Sequence, residues 1–177
     1  MKRFAIPAAT ALVAALTALA TVPAQAEGLY LGGSLSAPRY QDDINGIHGG
    51  GSGVGGSLYG GYRFNPNFAL ESGYLELGRN DDNGTGRIRS KGLYLDAVGF
   101  LPLSENWSAL GSIGVARTRV ETSLGDSTGN GLKLGLGAEY ALNKQVSLRG
   151  EWQRVTPDVF GDKPAIDGFN FGVRMGF

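Results

Sequence analysis

Hydrophobic and polar residues alternate with a period of two in eight separate stretches of the chain. The clearest stretch is 131–142, where Leu132, Leu134 and Leu136 share one face while Lys133 and Glu139 share the other. This alternation predicts β-strands that have one apolar and one polar face. The eight predicted strands are residues 28–36, 54–64, 68–78, 91–101, 107–120, 131–142, 146–154 and 168–177.

The connections between these strands are alternately short and long. The short ones are 65–67, 102–106 and 143–145, and the long polar ones are 37–53, 79–90, 121–130 and 155–167. This pattern is typical of an all-β fold, the eight-stranded antiparallel transmembrane β-barrel, with short periplasmic turns and four longer extracellular loops. Within the third strand the alternation breaks at 75–77, which predicts a bulge or register change there.

The polar faces of the strands indicate which side of the sheet lines the barrel lumen. They carry four cationic and four anionic side chains, which are Arg63, Glu71, Asp96, Lys133, Glu139, Arg149, Glu151 and Arg174. An eight-stranded barrel is only wide enough inside to hold its own side chains, so opposite charges there are able to pair. We therefore expect a lumen charge network that plugs the barrel, with the apolar faces toward lipid. The alternative is a soluble lipocalin-like barrel with a solvated charged exterior.

Aromatic residues cluster near the predicted strand ends. Amphipathic rings favour the membrane–water interface, so these residues predict two girdles. The expected periplasmic girdle is Phe64, Phe68, Phe100, Trp107, Tyr140 and Phe177, and the expected outer belt is Tyr74, Trp152 and Phe169.

The first 26 residues predict an export signal, and residues 27–177 form the predicted barrel domain. A basic start, an apolar alanine-rich stretch and the Ala24-Gln25-Ala26 ending are typical of a cleaved signal peptide. No later stretch approaches the ~20 apolar residues of a spanning helix. Loss of Lys2 and Arg3 leaves a small acidic excess, which argues against nucleic-acid binding. The chain has no Cys, which excludes disulfides and thiolate metal sites.

Two segments resemble a known family. Residues 61–74 (GYRFNPNFALESGY) and 168–177 (GFNFGVRMGF) are similar to strands of the OmpA-like transmembrane barrels, a group that overlaps the opacity-type and small porin-like families. The resemblance implies a place in the outer membrane of a Gram-negative bacterium. It also implies that Val173, Met175 and Phe177 form part of the signal read by the outer-membrane assembly machinery. OmpA continues into a peptidoglycan-binding domain, and since this chain ends at Phe177 we expect that tether to be absent.

No catalytic or cofactor site is expected. His48 is the only histidine, and Ser52 follows it in a Gly-rich loop without an orienting acid, so the pattern does not favour an acyl-transfer enzyme. The acidic pairs 42–43 and 81–82 do not match a calcium-loop spacing, so we expect solvated charge rather than a metal site.

Cations concentrate at the predicted outer rim, where lipopolysaccharide phosphates lie. Charge-assisted hydrogen bonds to phosphate would suit these side chains. The candidate lipopolysaccharide contacts are Arg79, Arg87, Arg89, Lys91, Arg117 and Arg119.

The predicted function is structural: a monomeric outer-membrane barrel that supports membrane integrity and makes surface contacts. Two alternatives stay open at this point. One is a narrow porin for small solutes, which a single-sign charge lining would favour. The other is an adhesin that binds a host or surface ligand through its four extracellular loops, although those loops offer few apolar anchors.

Overall fold

Eight antiparallel strands form a closed barrel in which every strand pairs with its sequence neighbours and β8 pairs with β1. The computed structural model describes residues 28–40, 54–82, 86–122, 125–158 and 163–177; the side chains of residues 40, 78–82, 86–89, 122 and 125 lie outside that description. The strands are β1 Gly28–Tyr40, β2 Gly55–Asn65, β3 Phe68–Asp82, β4 Gly86–Pro102, β5 Trp107–Thr122, β6 Gly125–Ala141, β7 Val146–Pro157 and β8 Ile166–Gly176. The described part of the chain contains no helix able to cross a membrane. The predicted fold class is confirmed.

The strands on one side of the barrel extend beyond their predicted ends. Residues 121–130 were expected to be a loop, but Glu121 pairs with Asp126 and Val120 with Ser127, so this expectation is wrong. Residues 79–90 likewise contain strand pairs, including Asp81 with Arg87. These segments are polar because they are in contact with water, although their backbone is still paired in the sheet. Their polarity does not show that the backbone has left the sheet.

The predicted irregularity in the third strand is present. The register between β3 and β4 shifts between Glu76 and Arg79, next to the break in alternation. Leu75 and Leu77 nevertheless stay on the inner face, at 1% exposure each. The irregular segment between Glu76 and Arg79 therefore contains Leu77 and leaves the inward direction of both leucines unchanged.

The outer face is apolar through the middle of the barrel. Leu93, Val115 and Leu136 are each more than half exposed, whereas Asp96 of β4 and Lys133 of β6 are buried on the inner face. Two aromatic pairs lie near the short turns, with ring centroids 5.8 Å apart for Phe64–Phe68 and 4.9 Å apart for Trp107–Tyr140. This exposed apolar surface matches the hydrophobic band of a transmembrane barrel.

Phe100 does not belong to the girdle in which it was expected. Its side chain is 4% exposed and lies on the inner face of β4, where the Arg63 guanidinium carbon sits 4.1 Å from the ring centroid. The reason is strand parity, because Phe100 shares its face with Asp96 and Val98. Proximity to a turn was a weaker guide than the period of two.

An apolar layer fills the lumen toward the long connections. Its members come from β3, β5, β7 and β8 and are at most 1% exposed: Leu75, Leu77, Val120, Val155 and Ile166. The expectation that apolar side chains face outward does not hold at these positions. Buried apolar side chains close this end of the barrel interior without any charge to pair.

The absence of Cys from the chain permits a direct test of orientation. Single cysteines replace Asp126, at the long-connection end, and Lys144, in the short connection between β6 and β7. We expect a membrane-impermeant maleimide to label Asp126→Cys on intact cells and Lys144→Cys only after the outer membrane is permeabilised. The reverse labelling pattern would overturn the expected orientation.

Candidate functional site in the barrel lumen

Glu71 of β3 lies at the centre of a buried polar network. Its carboxylate accepts hydrogen bonds from Arg149 Nη1 at 2.8 Å, Tyr94 Oη at 2.9 Å and Tyr30 Oη at 3.1 Å. These donors come from β7, β4 and β1, so one carboxylate links four strands across the lumen. The Arg149 guanidinium also lies near the Tyr59 ring of β2, at 5.2 Å from its centroid. The cluster occupies the middle of the barrel cross-section.

Glu139 of β6 organises the part of the network nearest the short turns. Arg174 donates to it in a bidentate fashion, with Nη2–Oε1 at 2.7 Å and Nε–Oε2 at 3.0 Å. Arg149 Nε lies 3.6 Å from Glu139 Oε2, and Arg63 Nη1 lies 3.9 Å from Oε1. Bidentate pairing combines charge with a planar fit and is among the stronger polar contacts in proteins. Glu139 therefore holds cations from three strands.

The Asp96–Lys133 ion pair joins β4 to β6 across the intervening strand β5. Asp96 of β4 is in register with Gly114 of β5, and Gly114 is in register with Lys133 of β6. The two charged residues are thus about 10 Å apart across the sheet, a gap that only the long lysine side chain can close. The Lys133 ammonium also lies 4.4 Å from the centroid of the Tyr94 ring, which connects this pair to the Glu71 cluster.

Glu151 completes the set of eight predicted lumen charges. Its carboxylate accepts a hydrogen bond of 3.0 Å from the Ser112 hydroxyl. Beside it is a cavity of about 10 Å³, lined in part by Glu71, Lys133 and Arg149. A volume of this size corresponds to about one water molecule. All eight predicted side chains lie on the inner face; seven are connected by ion pairs and by Tyr94, and Glu151 borders the cavity that Glu71, Lys133 and Arg149 also line.

Glycines on the inner face provide the space that these long side chains occupy. A Cβ atom built on Gly114 would overlap the Leu95 carbonyl oxygen and the Asp96 carboxylate, and one on Gly135 would overlap the Glu151 carboxylate. One on Gly61 would overlap the Tyr30 ring. Large and small residues therefore alternate between facing strands, as a narrow barrel interior requires.

Three tyrosines belong to the network although they were not predicted as part of it. Tyr30, Tyr59 and Tyr94 are each at most 6% exposed. They lie on the polar faces of β1, β2 and β4, so the period of two was the signal that would have found them. Aromatic rings count as apolar in a hydropathy pattern, whereas the hydroxyls of Tyr30 and Tyr94 donate to the Glu71 carboxylate and the Tyr59 ring faces the Arg149 guanidinium.

The predicted rim cations fall into distinct groups. The side chains of Arg79, Arg87 and Arg89 lie outside the described residues. Lys91 Nζ lies 2.8 Å from Glu121, and Arg119 lies 3.3 Å from Glu121 and 2.8 Å from Asp126. The ammonium of Lys91 holds the pKa of the Glu121 carboxyl below its usual range. Among the described residues, no carboxylate pairs with Arg117.

The three residues of the predicted assembly signal lie together at the end of the chain. Val173 and Met175 point outward from β8, and the Phe177 backbone nitrogen donates to the Leu29 carbonyl oxygen at 2.9 Å, next to the seam between β8 and β1. Their role in assembly stays a prediction. Equal amounts of folded barrel for Phe177→Asp and wild type in the outer membrane would count against it.

The positions considered for catalysis and metal binding are described only in part. His48, Ser52 and the acidic pair 42–43 lie outside the described residues, and the pair 81–82 is described only by its backbone, at the end of β3. Within the described ranges, no cluster of three His, Asp or Glu side chains is arranged to hold a metal ion.

A closed eight-stranded antiparallel barrel with an apolar outer band and a charged, filled interior defines a small transmembrane β-barrel. Residues 8–177 match the outer membrane protein beta-barrel domain family, and the chain belongs to this family. The chain is also 30% identical to outer membrane protein A of Yersinia pseudotuberculosis over 183 residues; the match covers 94% of this chain and 51% of that protein. The chain thus spans about half the length of that relative. The predicted family and the outer-membrane location in a Gram-negative bacterium are confirmed.

Solved structures of other small outer-membrane barrels share the fold. Neisserial surface protein A has a TM-score of 0.74 at 17% identity, covering 88% of this chain and 100% of that one. Ail of Yersinia pestis has a TM-score of 0.61 at 14% identity, covering 85% and 99% of the two chains. OprG of Pseudomonas aeruginosa has a TM-score of 0.57 at 16% identity, covering 85% and 97%. At these identities the likeness concerns architecture alone.

Removing Arg149 should destabilise the barrel strongly. Arg149→Ala leaves Glu71 without its cationic partner in a buried site, which typically costs ~3–5 kcal/mol. Arg119→Ala is the matched control, because this arginine is 52% exposed and takes part only in surface ion pairs, which contribute little to stability. Urea-induced unfolding of both refolded variants in lipid vesicles measures the difference. Equal stability of the two variants would show that the lumen pairs contribute no more than those at the rim.

Filling the space at Gly114 should also destabilise the barrel. Gly114→Ala places a methyl group against the Leu95 carbonyl and the Asp96 carboxylate, and overpacking of this kind costs ~1–3 kcal/mol. Gly111→Ala lies on the same strand but points outward, and the nearest heavy atom would be 3.9 Å from its Cβ. The same unfolding assay should show little change for Gly111→Ala. A harmless Gly114→Ala would contradict the proposed packing around the ion pair.

Proposed function

We propose that this outer-membrane barrel is a closed structural protein that supports membrane integrity and makes surface contacts, and that it is not an open solute pore. The observation that carries this proposal is the filled lumen. Side chains from all eight strands meet there, and the cavity beside the cluster around Glu71 has a volume of about 10 Å³. A continuous aqueous path needs a wider opening than one water molecule provides.

The balance of charge in the lumen supports a plug. Four cations and four anions face inward in the described strands, and most of the pairs are within 4 Å of each other. An ion path is usually lined by charges of one sign, which attract the permeant ion. Paired opposite charges attract neither cations nor anions selectively, and their mutual contacts hold the side chains in place.

The apolar layer strengthens the closure. Leu75, Val120 and Ile166 are buried on the inner face toward the long connections, at 0–1% exposure. A permeating ion would have to leave water to pass this layer, which is costly for any charge. The lumen is therefore closed by two different kinds of contact in series, one polar and one apolar.

Conductance of the refolded full chain in planar bilayers tests the proposal. We expect wild type to give little steady current, while a known porin reconstituted in the same way gives open channels. Large and stable channels from wild type would reject the plug and establish the porin alternative. Folded protein in the bilayer is verified beforehand by its heat-modifiable migration on gels.

The second candidate function is a narrow pore with brief openings. Arg149 supports this candidate because it lies between two carboxylates, with Nη1 2.8 Å from Glu71 and Nε 3.6 Å from Glu139. A guanidinium between two anions is able to exchange its stronger contact from one to the other, which would rearrange the centre of the plug. Brief openings in wild type that become rarer in Glu139→Gln would support this candidate, and a silent wild type would contradict it.

The adhesin alternative depends on the long loops. Residues 41–53, 83–85, 123–124 and 159–162 of these loops lie outside the described ranges, so this alternative stays a prediction.

A further inference from the structure

The lumen charges are unevenly distributed along the barrel axis. The end next to the short connections holds three guanidinium groups and two carboxylates, which belong to Arg63, Arg149, Arg174, Glu71 and Glu139. Asp96 and Lys133 pair with each other, so together they add no net charge. Glu151, the eighth lumen charge, lies one inward-facing position beyond Arg149 toward the long connections. The short-connection end of the lumen therefore carries one positive charge in excess.

Neighbouring charges do not cancel this excess. Glu105 and Lys144 lie in the exposed short connections and have opposite charges. Among the described residues, Glu139 is the only carboxylate within ion-pair distance of Arg63 or Arg174. Arg174 holds that carboxylate in a bidentate fashion, and Arg63 Nη1 lies 3.9 Å from it. Arg63 therefore has the longest ion-pair distance of the four lumen cations.

The guanidinium groups of Arg63 and Arg174 lie at the mouth of the lumen. Their side chains are 14% and 12% exposed, whereas the other five lumen charges that form ion pairs are at most 5% exposed. Arg63 Nη2 donates to the Pro66 carbonyl oxygen at 2.6 Å, in the turn between β2 and β3. Arg174 Nη1 lies 3.7 Å from the position of a Cβ atom built on Gly176, at the short-connection end of β8. Both guanidinium groups are therefore accessible from the water at this end.

Aromatic rings hold these two guanidinium groups in position. The guanidinium carbon of Arg63 lies 4.1 Å from the centroid of the Phe100 ring, and that of Arg174 lies 5.2 Å from the centroid of the Tyr30 ring. Such ring contacts orient a cation without cancelling its charge. Both guanidinium groups also approach the same oxygen, Oε1 of Glu139, so their donors lie side by side. An anion that binds between them needs little rearrangement of either side chain.

We propose that the mouth at the short-connection end binds one oxyanionic group, a carboxylate or a phosphate, between Arg63 and Arg174. A single anionic group balances the excess charge, and the planar donors of arginine match both oxyanions in a bidentate manner. In the proposed orientation this mouth faces the periplasm, so the ligand reaches it from that side. The inference goes beyond the closed-barrel function, because the oxyanion binds at the mouth and does not pass through the lumen.

An NMR titration of the refolded full chain in detergent micelles tests the proposal through the side-chain Nε–H signals of Arg63 and Arg174. The probes are inorganic phosphate and acetate, and sodium chloride at equal ionic strength is the reference. We expect saturable binding of an oxyanion, and the probe that binds more tightly identifies the ligand class. Arg63→Gln should weaken this binding about tenfold, the loss expected for a hydrogen bond to a charged group. Glu139→Gln should strengthen it, because the variant lacks the carboxylate that competes for the same donors.

Three further variants serve as controls, and heat-modifiable migration on gels verifies that each is folded. Arg63→Lys keeps the charge without the planar donors, so it should have an intermediate affinity, and it replaces Arg63→Gln if that variant does not fold. Lys144→Gln removes an exposed cation at the same end and should bind as wild type does. Glu27 precedes Gly28 and lies outside the described residues, and Glu27→Gln should also bind as wild type does.

The possible outcomes separate a specific site from general attraction. Equal oxyanion affinity of wild type and Arg63→Gln overturns the proposal, as do equal signal changes with chloride. A loss in Lys144→Gln as large as that in Arg63→Gln also overturns it, because any cation at this end would then serve. Tighter binding by Glu27→Gln would show that a carboxylate of the chain itself occupies the mouth, which contradicts the proposal. A closed lumen that binds no oxyanion would overturn this inference alone and leave the structural function intact.

Discussion

Charge pairing within a narrow closed lumen is the constraint on which the rest of this structure depends. A buried carboxylate such as Glu71 loses its hydration and is stable only when donors replace the lost water. Here the donors come from three other strands, so the carboxylate joins β1, β3, β4 and β7. The same contacts that stabilise the charge therefore fix the relative positions of strands that do not pair directly, and they occupy the space through which a solute would pass.

This constraint also accounts for the distribution of glycine and leucine. Several long charged or aromatic side chains in the lumen lie where a neighbour has no Cβ, as Gly114 provides for Asp96 and Gly135 for Glu151. The polar interior in turn requires that most large apolar residues face outward, where lipid replaces a protein core. A barrel of this kind is stabilised inside by polar contacts and outside by contact between apolar side chains and lipid. A soluble β-barrel has the reverse arrangement, with apolar side chains inside and polar ones outside.

The period of two predicted the eight strands, the inner position of the charges and the outward direction of residues such as Leu93. It did not predict which charges meet. Glu71 contacts Arg149, 78 positions further along the chain, because the stagger of a closed barrel brings β3 and β7 together, and stagger is not visible in local alternation. Polarity also concealed the strand pairs beyond Glu121, since a strand that projects into water has polar residues on both faces. Leu75 was unexpected because a lumen closed by apolar side chains looks, in sequence, like a lipid-facing strand.

The coupling between Glu71 and Arg149 tests the central claim most directly. A double-mutant cycle compares Glu71→Gln, Arg149→Met and the combined variant with wild type by urea-induced unfolding in vesicles. If this ion pair holds the strands around the lumen in place, the double variant should lose less free energy of unfolding than the sum of the losses in the two single variants. We expect the difference, the coupling free energy, to be about 2 kcal/mol. Additive losses would show that the two side chains act independently, and the account of a barrel closed and positioned by its central charge pair would be wrong.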